Sequence, residues 1–285
     1  MSLWEFIRQN VRYIAMVVIV VALVTAGIFA ARAFLPTSVS SENSTSSNAP
    51  SAPVSPYDWT CLERNNGRYS FVVDGQVRSR LGVDVSENQH EIDWNAVAGD
   101  GIEFALIRLG YRGSTEGGLF VDDNFWSNIE GARAAGLDIG VYFFSQADNV
   151  DEAIEEAELV VSQLEGIKLE YPVGFDSEVV NFKGSEAPTA NLTRDEMTAI
   201  AQAFCKRVKE AGYDAMIYGN AYDLARYKFD DMADWPIWWA EYGAPSPSTT
   251  SAIDFWQYSN SGMVAGIPTV VDLNLDLRNV PKSTG

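Results

Sequence analysis

The chain carries a single histidine, His90, in 285 residues, and only two cysteines. A serine or cysteine triad would have to be built on that one imidazole, and a histidine-rich zinc site is excluded. Cationic residues are scarce as well: 20 Lys and Arg stand against 39 Asp and Glu, a formal charge of −19. Such a surface repels nucleic acid and anionic lipid headgroups, so the target is neutral or is held through uncharged groups. Hydrolysis by carboxylates needs no histidine, and carboxylates are what the chain has in excess.

Residues 36–56, PTSVSSENSTSSNAPSAPVSP, contain no aromatic side chain. They cannot bury enough apolar surface to offset their ordering entropy, which predicts a flexible Ser/Pro-rich linker. Ahead of it, residues 13–31 (YIAMVVIVVALVTAGIFAA) contain no charge. A run of that length at ~1.5 Å per residue crosses a hydrocarbon core of about 30 Å. Arg8 and Arg12 precede it, which favours a cytoplasmic N-terminus over 1–12, a transmembrane signal-anchor over 13–35 and an exported remainder. The protein is then a single-pass membrane protein with an extracellular domain. Cleavage of a signal peptide near Ala31-Arg32-Ala33 would make it secreted instead.

Residues 57–80 predict a small β-hairpin packed outside the main domain: Tyr69, Phe71 and Val73 alternate with polar residues, Asp74-Gly75 supplies the turn, and Val77 begins the return. Cys61 lies here and Cys205 far away in a predicted helix. An oxidising compartment permits a disulfide between them, and two unpaired thiols are the alternative.

From 81 to 285 the pattern switches repeatedly between short apolar runs and amphipathic stretches. Candidate strands are 81–85, 103–109, 138–144, 172–178, 214–218, 236–240, 254–258 and 269–273. Helices are predicted over 122–135, over 149–164 opened by Asn149, and over 194–211 capped by Thr193. The connections 241–253 and 259–268 are too short for full helices. This predicts an α/β, TIM-like (β/α) barrel, regular in its first half and irregular in its second.

Four acids fall at the expected C-terminal strand ends: Asp84 in LGVDVS, Asp176 and Glu178 in YPVGFDSE, and Asp272 in TVVDLN. Strand residues two apart share a face, so Asp176 and Glu178 aim the same way. A charge in such a run costs several kcal/mol unless it is paired or protonated, which points to acid chemistry. Tyr142, Tyr218, Glu241 and Gln257 are placed near the same rim. Taken singly, Asp84 could form a turn and Asp272 could simply close the chain.

The ordered segments GVDVSENQHEIDW, FALIRLGYRG, GVYFFSQA, VGFDSE, YGNAYDL, PIWWAEYG and DFWQYSNSGMVAGIPTVVDLNL, from about Leu81 to Leu277, resemble glycoside hydrolase family 25, the Chalaropsis-type lysozymes or N-acetylmuramidases. Asn88 stands where that family often has a histidine, which leaves His90 without an assigned contact. The resemblance implies cleavage of the β-1,4 bond between N-acetylmuramic acid and N-acetylglucosamine in peptidoglycan, by a monomer without metal or cofactor. Glu178 becomes the general acid and Asp176 its partner, as covalent nucleophile or as orienter of the substrate acetamide. Sugar faces would stack on Trp239 and Trp256, while Trp94 is assigned to packing. Arg108 is open between a peptide-stem carboxylate and an ion pair. A chitinase-like glycosidase would need an aspartate where Gly174 stands, and an inactive wall-binding module would tolerate loss of the acids.

Overall fold

The computed structural model describes residues 55–115, 117–180 and 187–282. The expected cytoplasmic segment, signal-anchor and nearly all of the linker lie outside the described residues. Among the described residues no helix is long and apolar enough to cross a membrane.

A three-stranded antiparallel sheet comes first: β1 (Leu62–Asn65), β2 (Arg68–Val73) and β3 (Gln76–Val77). The expected β2–β3 hairpin is there, and a further strand precedes it. Both turns place two consecutive residues at positive φ, Asn66 at 49° with Gly67 at 82°, and Asp74 at 51° with Gly75 at 71°. That is the type I′ geometry which Asn-Gly and Asp-Gly adopt at least cost and whose twist suits a two-residue hairpin.

The chain then builds β4 (Arg80–Val85), α1 (Trp94–Gly99), β5 (Phe104–Arg112), β6 (Leu119–Val121), α2 (Phe125–Ala134), β7 (Asp138–Phe144), α3 (Val150–Gln163) and β8 (Val173–Asp176). It continues with α4 (Arg194–Glu210), β9 (Ala215–Asn220), α5 (Ala221–Leu224), β10 (Ile237–Ala240), β11 (Phe255–Gly262) and β12 (Val271–Asp276). Strands β4-β12-β11-β10-β9-β8-β7-β5 pair in that order, and β4 with β5 closes them into an eight-stranded barrel; β6 extends β5 at the edge. The helices open where their caps stand: Asn149 accepts from the Glu152 amide, and Thr193 with Glu196 forms a reciprocal capping box.

One strand departs from the expected all-parallel barrel. β12 runs antiparallel to both β11 and β4. A parallel return needs a crossover of about a dozen residues or more, and residues 263–270 are too few, so the chain turns back directly.

The barrel's two faces have different neighbours. Outward side chains such as Ile107, Val141, Phe175 and Ile217 join a core with Phe125, Val160 and Phe204 from the helices. No helix follows β10 or β11, and there the N-terminal sheet is the cover. Trp59 and Tyr69 pack on the fully buried Trp256 with ring centroids at 6.3 and 5.1 Å, and Tyr69 meets Tyr258 at 5.1 Å. Tyr57 donates its hydroxyl to the Ile253 carbonyl, and Arg68 pairs with Asp100 at 2.5 Å. Cys61 and Cys205 are both free thiols, Cys205 fully buried.

Candidate active site

The barrel interior is filled in layers. At the N-terminal end Arg80 bonds Asp138 at 2.5 Å, Tyr171 donates to Asp276 at 2.8 Å, and Arg278 lies over the Tyr171 ring at 4.2 Å. The middle layer is Phe104, Leu106, Met216, Trp238 and Phe255. Gly82 is required here, because a Cβ on it would come within 2.3 Å of the Phe104 ring. With those layers packed, the open end is the one to which the parallel strands point.

Five hydrogen bonds converge on Asp84 there, directly or through one neighbour. Trp238 Nε1 donates to Asn274 Oδ1 at 2.8 Å, and Asn274 Nδ2 donates to Asp84 Oδ2 at 2.7 Å. From the other side Tyr218 and Tyr242 each donate to Gln257 Oε1 at 2.8 Å, and Gln257 Nε2 donates to the same Asp84 oxygen at 2.8 Å. Every donor runs toward Asp84, which identifies it as the acceptor. Asp272 faces Asp84 across the β4–β12 pair and donates a side-chain hydrogen bond to it. Burial and the Asp84 charge push the Asp272 carboxyl well up, so it holds a proton; burial also raises Asp84, against the donors that lower it. Asp272 is the second residue of its strand, not the last. It reaches the rim only because β12 is reversed.

Asp176 ends β8 and is 5% exposed; Glu178 lies just past the strand at the mouth, half-buried. The backbone between them is held on several sides: the Ser145 amide donates to the Asp176 carbonyl at 2.7 Å, Gln146 Nε2 to the Glu178 carbonyl at 3.1 Å, and Arg226 to the Ser177 carbonyl at 3.3 Å. Ser145 and Gln146 are themselves supported by Glu156, which is buried with Arg112 at 2.8 Å. Burial first and the Asp223 charge second push Glu178 up to about 7, while a hydrogen bond from Asp176 opposes them. Asp176 is raised as well, by burial and then by the Glu178 charge, and its Oδ1 has no partner among the described residues.

Of the sequence-predicted residues, Asp84, Asp176, Glu178, Asp272, Tyr142, Tyr218 and Gln257 therefore meet at this end of the barrel. Three do not. Trp239 and Trp256 lie on outward positions of their strands, in the outer core, with Trp256 fully buried under the N-terminal sheet, so no ring face is free for a sugar. Glu241 turns away to accept from Trp239 Nε1 at 2.9 Å and from the Ser248 amide at 2.7 Å. Arg108 is an ion pair, with Asp122 at 2.8 Å and Glu87 at 3.0 Å. His90 is exposed, and Trp94 is packed against Gly131. Asn274, Asp223 and Gln146 are the contributors that the sequence reading left without a role. Asn274 was within reach of the period-two rule, since it shares a strand face with Asp272.

Among the described residues no group of three or more His, Cys, Asp or Glu is arranged to hold a metal ion. The profile of glycosyl hydrolases family 25 matches residues 83–267, which contain Asp84, Asp176, Glu178 and Asp223 but not Asp272. This chain belongs to that family. Among relatives of the family-25 chain, the autolytic lysozyme of Clostridium acetobutylicum is 28% identical over 193 residues, covering 68% of this chain and 54% of the relative. Lysozyme M1 of Streptomyces globisporus is 30% identical over 200 residues, covering 68% and 66%. In fold it is similar to the modular autolysin LytC from Streptococcus pneumoniae, solved in complex with a synthetic peptidoglycan ligand, with TM-score 0.63 and 24% identity over 75% of this chain and 51% of that one. The chain thus spans about half the length of the Clostridium and Streptococcus proteins.

Proposed function

We propose that this family-25 chain is an N-acetylmuramidase that cleaves the β-1,4 bond between N-acetylmuramic acid and N-acetylglucosamine in peptidoglycan. One observation carries the reading: Glu178, pushed up to about 7, sits in hydrogen-bond contact with the more deeply buried Asp176 at the mouth of the barrel. A carboxyl with that affinity for its proton still holds it near neutral pH and can pass it to the glycosidic oxygen. The pair shares a proton, since two adjacent carboxylates cannot both ionise there cheaply.

The closeness of the two carboxyls also favours one chemical route. A covalent nucleophile stands about 5–5.5 Å from the acid, and a water-activating base stands farther still. Carboxyls in direct hydrogen-bond contact are nearer than either arrangement. They suit substrate assistance: the acetamide oxygen attacks the anomeric carbon while Glu178 protonates the leaving oxygen, and Asp176 orients the acetamide N–H. Glu178, now a carboxylate, then takes a proton from the incoming water. Asp84, anchored by Asn274 and Gln257 and capped by protonated Asp272, supplies negative potential for the developing oxocarbenium charge.

The finer assignments belong to the same proposal. The barrel is read as TIM-like, with the helices after its sixth and seventh strands lost. Residues 13–35 anchor a monomeric, extracellular domain to the membrane, and the linker 36–56 lets it reach glycan strands in the wall. Reducing-end analysis of digested sacculi tests the activity: new muramic acid ends are expected, and new glucosamine ends would overturn it. A glycosyl ester on Asp176 in a trapped reaction would replace substrate assistance with covalent catalysis.

A further inference from the structure

The N-terminal sheet does more than cover the barrel. Its β1–β2 end faces the segments that leave β10 and β11 on the active rim, and between them lies a cavity of about 300 Å³ lined by Arg64, Gly67, Tyr69, Tyr242, Tyr258 and Asn260, among others. Tyr69 donates to the Ala244 carbonyl at 3.2 Å, latching the sheet to the loop that carries Tyr242. Tyr242, 45% exposed, is shared by the cavity and the catalytic cleft, because its hydroxyl bonds the Gln257 that holds Asp84. The Arg64 guanidinium lies over the Tyr69 ring, 5.3 Å from its centroid, and forms no ion pair among the described residues. That is notable in a chain where acidic residues outnumber basic ones 39 to 20. Residues 64–69 precede the family-matched segment 83–267, so this wall is an addition to the barrel.

The glycan backbone of the proposed substrate is uncharged; its anions sit on the short peptides that branch from the lactyl groups. A side pocket at the rim, with a free guanidinium on an aromatic ring and with amide and hydroxyl groups from Asn260, Ser259 and Ser261, matches a branching acidic peptide better than a further sugar. We propose that this pocket is a subsite for the acidic peptide stem, with Arg64 receiving a stem carboxylate. The inference rests on the muramidase reading for its substrate.

The test compares wild type with Arg64→Ala and Arg64→Glu on soluble glycan strands that carry stems and on the same strands stripped of stems by an amidase. Arg64 is exposed, and unchanged thermal melting is the folding control. For stem-bearing strands the Ala variant is expected to raise KM about three- to tenfold, the Glu variant more, with kcat unchanged; stripped strands should respond to neither. Equal effects on both substrates, or none on either, would overturn the subsite. If wild type cleaves neither substrate the muramidase reading fails by itself, and calorimetric titration of the same two glycans decides the subsite: stem-dependent affinity lost in Arg64→Ala upholds it, and equal affinity sinks it.

Discussion

The half-buried carboxyl on which the proposed mechanism turns also costs stability. Glu178 is held up to about 7 against an ordinary value of 4.5, so its folded-state pKa lies above that of the unfolded chain. The stability this contributes is fully present below about 4.5 and is lost as pH rises through about 7. Glu178→Gln should therefore be more stable than wild type at pH 8, by on the order of 1 kcal/mol and with a higher melting temperature, the gap closing at pH 4. The same variant should lose about a hundredfold or more in reducing-end release while still binding sacculi in a sedimentation assay. Asp223 provides a separate check, since its charge is the second cause of the raised Glu178 value. Asp223→Asn should move the alkaline limb of the kcat/KM profile toward lower pH, and an unmoved limb would remove Asp223 from the site.

At the scale of elements, the irregular second half of the barrel and the added N-terminal sheet explain each other. Residues 241–254 and 263–270 provide no helix, so the outward faces of β11 and β12 would meet water unless something else lay on them. The sheet and the turn that leads into it bring Trp59, Tyr69 and Phe71 to that place. Trp256→Ala should destabilise by about 3–5 kcal/mol, a melting shift on the order of 10 °C, while leaving kcat near that of wild type. A comparable loss of kcat at temperatures where the variant is folded would return Trp256 to the cleft. The eight strands and three long helices were legible because apolar periodicity and caps such as Asn149 and Thr193 are local signals. The direction of β12 was not, since it depends on how far eight connecting residues can carry the chain.

For the molecule as a whole, the net charge of −19 would oppose approach to the proposed substrate if that wall is itself anionic, and such long-range repulsion is screened over about 8–10 Å at physiological salt. Initial rates on intact sacculi should rise severalfold between about 10 and 150 mM salt, whereas rates on a short neutral oligosaccharide should stay flat. A fall with salt on sacculi would mean that local cations such as Arg64 dominate the encounter.

The sequence by itself pointed to carboxylate chemistry, to an eight-stranded α/β barrel of about two hundred residues, and to Asp84, Asp176, Glu178 and Asp272 at one end of it. Tertiary structure decided which side of each strand faces the lumen. In a barrel wrapped by other elements both faces of a strand are buried, so alternation no longer distinguishes inside from outside; Trp238 and Trp239 are equally apolar neighbours, yet Trp238 enters the lumen and Trp239 the outer layer. It also decided that Asn274 and Asp223, far apart along the chain, complete the acid cluster, because strand register and the reversal of β12 exist only once the barrel has closed.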